Sequence, residues 1–194
     1  MEKQILITIS REYGTGGHEI AEKVAKDLGI TIYDRQMLDH IADEMGVDSE
    51  HLQQYDEKPR NPLTSRKVRG YSNSREDNLV EMQFKFIKSK ADAGESFVVV
   101  GRCAETVLKN YDGLVKVFVT GQDSTKLERV MNKYGISEKE AKIKMERHNR
   151  NRRAYHNAHS DFKWGDSRFY DLCINSSRLG IDKTAEVIEK YIQG

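Results

Sequence analysis

The chain has 194 residues, of which 37% are hydrophobic and 32% charged, and its formal net charge is +1. This length suffices for one domain with a real core, and no apolar run approaches the roughly 18 residues of a membrane span. A net charge near zero gives no general field for nucleic acid. The N-terminus enters a predicted strand with no signal peptide, and the two cysteines form no metal-like pair. We therefore expect a cytoplasmic protein with reduced thiols, no membrane partner and no nucleic-acid partner.

The first predicted element is a strand–loop–helix unit. Residues 5–9 are an apolar, β-branched run typical of a buried strand. A glycine-rich stretch follows, and apolar residues then recur at helical spacing until Gly29, where a helix C-cap is expected. This layout directs backbone N–H groups and a helix N-terminus at a phosphate. An ordinary turn between a strand and a helix has the same layout, so both interpretations stay open.

The glycine loop departs from the standard phosphate-binding pattern G-x-x-x-x-G-K-[ST]. With the second glycine of that pattern on Gly16, Gly17 stands where the lysine belongs, and His18 stands where the magnesium-binding Ser or Thr belongs. Arg11 then stands at the first glycine. The two side chains that normally act on phosphate and metal are therefore missing, although the sequence is compatible with a surviving backbone cradle.

Strands and helices alternate along the rest of the chain. Further strands are predicted at 30–33, 97–100, 115–119 and 171–175, and helices at 36–56, 76–93, 124–134, 138–156 and from Asp182 onward. The polar, basic segment 57–75 carries both prolines and is the best candidate for a mobile loop. The alternation predicts an α/β fold with a mainly parallel, five-stranded sheet and helices on both faces.

Charged residues follow the carboxyl ends of three predicted strands, where ligands bind in open α/β sheets. Arg11 follows the first strand, Asp34 and Arg35 follow the second, and Arg102 follows the third. Asp34 is also suited to cap the next helix, and this role is compatible with ligand binding.

Two basic clusters, at 57–75 and 142–153, interrupt the nearly neutral chain, each with six Lys or Arg residues and one Glu. They indicate focused binding of an anion, although solvated surface charges give the same composition. In the second cluster Arg147 and Arg150 are three residues apart, which predicts that they share a helix face. A capping-box pattern at Ser137 begins this helix.

Taken together, these residues resemble the cytidylate kinase-like proteins, a divergent branch of the nucleoside monophosphate kinases in the P-loop superfamily. The resemblance covers nearly the whole chain. Its markers are the loop 7–17 (I-T-I-S-R-E-Y-G-T-G-G), Tyr33-Asp34-Arg35, Gly101-Arg102, the arginine helix 146–150 and the closing strand 170–175. It implies a single kinase-like domain, with a core at 1–35, 94–120 and 166–194, an acceptor-binding region at about 36–93 and a helical lid at about 121–165.

The resemblance also implies three roles for residues that match the family's motifs. These roles are catalysis at the transferring phosphoryl group, binding of the donor phosphates, and binding of the acceptor. The residues implied are, in that order, Asp34, Arg147 and Arg150; Arg11, Gly14, Thr15, Gly16, Gly17 and His18; and Arg35 and Arg102.

The implied activity is ATP-dependent phosphoryl transfer to a nucleoside monophosphate of the cytidylate type, CMP or dCMP, with Mg²⁺ as the expected cofactor. No residue is assigned as a metal ligand, although Asp34 and water form one way to hold Mg²⁺. Because the loop lysine and Ser/Thr are replaced, two alternatives stay open. One is a catalytically weak, regulatory nucleotide- or anion-binding protein on a kinase scaffold, and the other is a kinase of another small molecule.

We hypothesise that a set of arginines substitutes for the missing lysine. Arg11, Arg35 and Arg102 come from the strand ends, and the lid arginines come from above. The alternative for Arg11 is a structural salt bridge with Glu12 or Asp34. The sequence does not indicate an oligomeric state.

Overall fold

The computed structural model describes residues 4–45, 67–68, 71–72 and 74–194. In chain order these form β1 (Leu6–Arg11), α1 (Gly17–Leu28), β2 (Thr31–Tyr33), α2 (Met37–Met45), β3 (Lys67–Val68), β4 (Tyr71–Ser72), α3 (Arg75–Asp92), β5 (Phe97–Val100), α4 (Ala104–Val107), β6 (Leu114–Thr120), α5 (Asp123–Tyr134), α6 (Glu138–His159), a 3₁₀ turn (Ser167–Phe169), β7 (Leu172–Asn175) and α7 (Ser176–Gln193). Among the helices in the described ranges, none has both the length and the apolar character needed to cross a membrane.

Five strands form one all-parallel sheet in the order β2-β5-β1-β6-β7, and β3 and β4 pair as a separate short hairpin. The central strand β1 pairs with β5 on one side and β6 on the other. Such a strand has neighbours on both edges and helices on both faces, so its amino-acid sequence is a nearly continuous apolar run. The predicted five-stranded parallel sheet is confirmed.

The two faces of the sheet carry separate hydrophobic clusters. Leu6, Phe97 and Val99 pack under residues of α2 and α3. The side chains that alternate with them, including Ile7 and Val98, pack under α1 and α7. This alternation follows from the period of two along a strand, and it confirms that helices cover both faces.

Local signals fixed most helix ends as predicted. Gly29 ends α1 in the left-handed conformation, with φ of 64°, and Ser137 forms the capping box with Glu140 at the start of α6. The last helix begins earlier than predicted, because the side chain of Asn175 accepts a hydrogen bond from the backbone N–H of Ser177 and caps it there. A non-helical residue, Gly180, then kinks this helix before it reaches the predicted start.

Some predictions fall where the structure gives no description. The second half of the predicted helix 36–56, both prolines and most of the first basic cluster lie outside the described residues. The division into core, acceptor-binding region and lid stays a prediction. Within the predicted lid region, α5 and α6 pack together through Val130, Ala141 and Met145.

Candidate phosphate-binding site

A cavity of about 940 Å³ lies at the carboxyl ends of β1, β2 and β5, between this edge of the sheet and the helices α5 and α6. Three carboxylates and eight Lys or Arg residues line it, so its field favours an anionic ligand. The cations are Arg11, Arg35, Arg102, Arg129, Lys133, Lys144, Arg147 and Arg152.

The glycine loop forms the floor of this cavity. Gly14 and Gly16 adopt φ of 88° and 76°, a region that side chains other than glycine rarely occupy. At Gly14 space also requires glycine, whereas at Gly16 the atom nearest to a Cβ is the tip of a side chain. A Cβ on Gly14 would lie 2.9 Å from the backbone oxygen of Lys126, and one on Gly16 would lie 2.3 Å from Ile181 Cδ1.

The first turn of α1 follows this loop, and Gly17 and His18 line the cavity together with Gly14 and Gly16. The backbone N–H groups of a first helical turn have no partner within the helix, and they attract anions. The structure therefore brings these four predicted phosphate-binding residues to one surface.

Thr15 differs from its neighbours in the loop. Its side chain is buried, and its hydroxyl donates a hydrogen bond to the backbone oxygen of Glu12 at 2.9 Å. Its own backbone oxygen accepts a hydrogen bond from Ser176 Oγ at 2.8 Å. The Thr15 side chain thus braces the loop and does not line the cavity.

Lys126 is a second brace of the loop, and no sequence pattern identifies it. Its side chain is buried, and its ammonium lies 2.7 Å from Glu12 Oε2 and 2.8 Å from Asp123 Oδ1. Burial disfavours the charge on Lys126, but the hydrogen bonds and ion pairs with Asp123 and Glu12 outweigh burial and raise the pKa of its ammonium. The carboxylate of Glu12 also accepts a hydrogen bond from the Thr120 hydroxyl at 3.0 Å. Glu12 is therefore tied to α5 and β6. The expected alternative, a salt bridge of Arg11 with Glu12 or Asp34, stays a prediction.

Asp34 combines the two roles expected of it. Its Oδ1 accepts a hydrogen bond from the backbone N–H of Gln36 at 2.8 Å, just before α2 begins. Its Oδ2 lies 3.5 Å from Nε2 of His18, whose side chain is 49% exposed. The carboxylate therefore fixes the turn after β2 with one oxygen and presents the other to the glycine loop.

Glu19, the third carboxylate of the lining, pairs with two cations of α5. It forms a short ion pair with Arg129 and lies 3.5 Å from the Lys133 ammonium. Partial burial raises the pKa of the Glu19 carboxyl, but the hydrogen bond and charge of Arg129 and the charge of Lys133 outweigh burial and lower it. The charge of Arg129 is thus largely balanced by a protein carboxylate.

Helix α6 lies directly over the glycine loop and is held there through Tyr13. The backbone N–H of Tyr13 donates to Asn149 Oδ1 at 2.7 Å, and its ring stacks on His148 with 4.3 Å between centroids. The guanidinium of Arg152 lies over the same ring, 5.5 Å from its centroid, and donates to the backbone oxygen of Arg11 at 3.2 Å. Burial, and then the hydrogen bond with Tyr134, raise the pKa of the Tyr13 hydroxyl.

The residues of α6 that line the cavity are Lys144, Arg147, His148, Asn151 and Arg152. Arg150 is exposed and lies outside this lining, so the structure does not bring it to the cavity together with Arg147. The physical reason is the direction of the offset. At 3.6 residues per turn, Arg150 lies about 60° from Arg147, on the side away from the rest of the lining strip. The second guanidinium over the glycine loop is that of Arg152.

Arg102 lies on an unusual turn after β5. Three successive residues, Gly101, Arg102 and Cys103, have positive φ of 76°, 62° and 53°. Left-handed residues other than glycine cost on the order of 1–3 kcal/mol each, and such strain concentrates at functional sites. Arg102 is buried yet lines the cavity, as does the exposed Arg35. Both predicted acceptor-binding residues therefore reach the site.

A buried polar pair lies beneath this turn. His156 Nε2 of α6 is 2.6 Å from Glu105 Oε1 of α4, and these residues are 3% and 1% exposed. Cys103 adjoins the pair, and burial, and then the charge of Glu105, raise the pKa of its thiol to about 12. The 2.6 Å contact is a hydrogen bond, because two ligands of one tetrahedral metal ion with bonds of about 2.1 Å are separated by roughly 3.4 Å. Glu105 and His156 are 51 residues apart, and no sequence motif predicts their contact.

The parallel sheet, the glycine loop between its central strand and α1, and the cationic cavity above that loop define an α/β P-loop kinase fold. Solved structures support this assignment. The shikimate kinase of Bacteroides thetaiotaomicron superposes with a TM-score of 0.57 at 11% identity, covering 98% of this chain and 99% of that one. At this identity, the likeness concerns the fold alone.

The chain belongs to the cytidylate kinase-like family, whose sequence model matches residues 6–178. The cytidylate kinases of Pyrococcus horikoshii and Thermococcus kodakarensis are 29% and 28% identical to it, over 97% of this chain and 88% of each relative. An uncharacterized protein from Eubacterium ventriosum, solved by crystallography, matches with a TM-score of 0.78 and 34% identity over 98% of this chain and 99% of that one. The resemblance inferred from the motifs is thereby confirmed, and the protein is of the nucleotide or small-molecule kinase type.

Proposed function

We propose that the protein transfers the γ-phosphoryl group of ATP to a nucleoside monophosphate of the cytidylate type, CMP or dCMP. The observation that carries this proposal is one continuous cationic cavity. It joins the glycine loop to Arg102 and Arg35 and is covered by the arginines of α6. Such a cavity suits two phosphorylated substrates whose phosphates meet between the loop and the arginines.

On the donor side, the backbone N–H groups of the loop and the first turn of α1 would hold the β- and γ-phosphates. Mg²⁺ fits the site through Asp34, because one oxygen of this carboxylate faces the loop, and proteins often hold Mg²⁺ by one or two carboxylates with waters and substrate phosphates. Bound there, Mg²⁺ would supply positive charge that neutralises the negative charge developing on the phosphates during transfer. His18, beside Asp34, would donate a hydrogen bond to a phosphate oxygen.

On the acceptor side, Arg102 and Arg35 would bind the monophosphate. Arg102 is held rigidly because its side chain is buried and its backbone is strained. A rigid cation loses little freedom when it binds an anion, so it is suited to aligning the acceptor oxygen for in-line attack.

Arg147 and Arg152 of α6 would stabilise the charge of the transferring phosphoryl group. Both line the cavity from the side opposite the glycine loop. Phosphoryl transfer depends mainly on positioning and on charge stabilisation at the phosphoryl oxygens, and one such donor contributes about 10²–10³-fold in rate.

The test measures ADP formation from ATP and Mg²⁺ with CMP, dCMP, UMP, AMP and GMP as separate acceptors, alongside a thermal-shift titration with ATP. We expect turnover with a pyrimidine monophosphate. Arg147→Ala is expected to reduce that turnover, whereas Arg150→Ala, on the same helix but outside the cavity, serves as the matched control. If none of the monophosphates supports turnover, the proposed acceptor class is rejected.

A second candidate follows from Gly17 and His18, which replace the lysine and the Ser/Thr of a standard loop. A catalytically weak regulatory protein that binds nucleotide would retain the backbone cradle and lose the transfer step. It predicts an ATP-dependent rise in melting temperature with no turnover on any acceptor. A kinase of another small molecule predicts the same rise, and it predicts turnover only when acceptors other than nucleotides are supplied. We place either activity in the cytoplasm.

A further inference from the structure

Positions 11 and 17 of the glycine loop compete for the same space. A Cβ placed on Gly17 would lie 2.6 Å from Cβ and 2.8 Å from Cγ of Arg11. Separations below 3.0 Å are not tolerated between carbon atoms, so a side chain at 17 must displace the Arg11 side chain or the strand that carries it. Gly17 is the first residue of α1 and has no positive φ. Glycine is therefore required there by the Arg11 side chain and not by backbone conformation.

The standard pattern has the opposite arrangement at these two positions. It has glycine where this chain has Arg11 and lysine where this chain has Gly17. We infer that these two departures are one reciprocal exchange, in which the cation that binds the donor phosphates has moved from the start of α1 to the end of β1. This inference rests on the proposed function, since it assigns that cation within the same site.

The position of Arg11 fits this role. It is the last residue of the central strand, it lines the cavity, and its Cβ and Cγ pass directly over the first residue of α1. Its side chain therefore begins beside the first helical turn, where phosphates bind. A guanidinium also matches phosphate oxygens with two parallel hydrogen bonds, which an ammonium cannot make.

Two other cations near the loop are less suited to replace the lysine. Lys126 is buried between Glu12 and Asp123, and Arg129 is paired with Glu19. A phosphate would have to compete with carboxylates that already hold these charges. The backbone of Arg11 is fixed by the hydrogen bond from Arg152 to its carbonyl oxygen, and its Cβ and Cγ lie against Gly17.

The experiment is a cycle of three variants: Arg11→Gly, Gly17→Lys, and the double variant that restores the standard pattern. Arg168→Ala, an exposed arginine remote from the cavity, is the control for loss of a positive charge. Each variant is assayed for kcat and KM of ATP with the acceptor that the wild type uses, and for melting temperature with and without ATP.

We expect Arg11→Gly to lower kcat/KM about 10²–10³-fold, and Gly17→Lys alone to lower the melting temperature through the clash. The double variant is expected to recover at least tenfold over Arg11→Gly. Gly17→Lys is thus expected to be harmful when residue 11 is arginine and beneficial when residue 11 is glycine. A folded double variant no more active than Arg11→Gly, or a Gly17→Lys variant as stable and active as the wild type, would overturn the inference.

The outcome separates this inference from the proposed function. If the wild type binds ATP without turnover, phosphoryl transfer to nucleotides is rejected. The inference is then judged by the same cycle in ATP affinity, where Arg11→Gly must weaken binding and the double variant must restore it. If the wild type shows no ATP-dependent shift, the inference is overturned, because the relocated cation has no phosphate to bind. Should Arg11→Gly fail to fold, Arg11→Met replaces it in the single-variant arm and must show the same loss of ATP binding.

Discussion

Replacement of His156 by alanine tests the buried contact between the core and α6. The imidazole donates to or accepts from Glu105 Oε1 at 2.6 Å, and both side chains are almost completely inaccessible to water. The change leaves the Glu105 carboxylate buried without this partner. Comparison with the further variants below separates the cost of an unsatisfied buried carboxylate from the ordinary cost of a smaller side chain.

Breaking a buried pair by removing one partner typically costs about 3–5 kcal/mol. For a chain of this size, 1 kcal/mol shifts the melting temperature by roughly 2–4 °C. We therefore expect His156→Ala to lower the melting temperature by about 6–20 °C. His156→Gln, which keeps a hydrogen-bonding group near Glu105, is expected to lose less.

The assay is thermal and urea unfolding followed by circular dichroism, with His40→Ala as the control at an exposed histidine. That control is expected to change the free energy of unfolding by less than about 0.5 kcal/mol. A third variant, Glu105→Leu with His156→Leu, removes both polar groups and is expected to cost less than His156→Ala. The reasoning would be refuted if His156→Ala cost no more than the control, or if the double variant were the least stable of the set.

Three further predictions concern the site and its braces. Arg147→Ala should lower kcat about 10²-fold or more. Arg150→Ala should change kcat less than threefold, and neither variant should shift the melting temperature appreciably. A larger kinetic effect of Arg150→Ala would contradict the orientation of α6. Gly14→Ala places a Cβ 2.9 Å from the Lys126 backbone oxygen at a φ of 88°. The ATP-dependent rise in melting temperature should therefore shrink or vanish. An unchanged rise would mean that the loop accommodates the Cβ with little change in structure. Because the pKa of Lys126 is raised above 10.5 in the folded protein, its contribution to stability is complete below about pH 10.5 and is lost as the pH rises through the folded pKa. Urea unfolding between pH 8 and 11.5 should therefore show a decline that is smaller in Lys126→Met, and equal declines would exclude this linkage.

The order of elements and the edge that binds ligand were predictable from sequence, because both depend on short-range patterns. The apolar runs at 5–9 and 97–100 predicted the buried strands that the structure contains. Once the sheet was parallel, the residues after each strand had to lie at one edge, and Asp34 and Arg102 do line the same cavity.

The braces of the site were not predictable in this way. Lys126 lies 114 residues from Glu12, and a lysine on a helix gives no sign that it will be buried against a loop. The rotation of α6 about its axis was equally hidden, because charged residues occur on all its sides and no apolar stripe identifies the inward face. Spacing alone therefore paired Arg147 with Arg150, whereas packing against Tyr13 turned Arg152 toward the loop.

The positions of the cations in this site make phosphate binding depend on the packing of α6. A standard loop carries its lysine and its Ser/Thr within the first turn of one helix, so that turn alone brings both groups to the phosphates. In this chain the cations of the cavity come from β1, the turns after β2 and β5, α5 and α6, and those of α6 reach it only while α6 lies over the sheet. The contacts that hold it there include the stacking and hydrogen bonding of Tyr13 and the buried pair of Glu105 with His156. Loss of either contact should therefore impair phosphate binding before it unfolds the sheet, since the site depends on an interface that is weaker than the core beneath it.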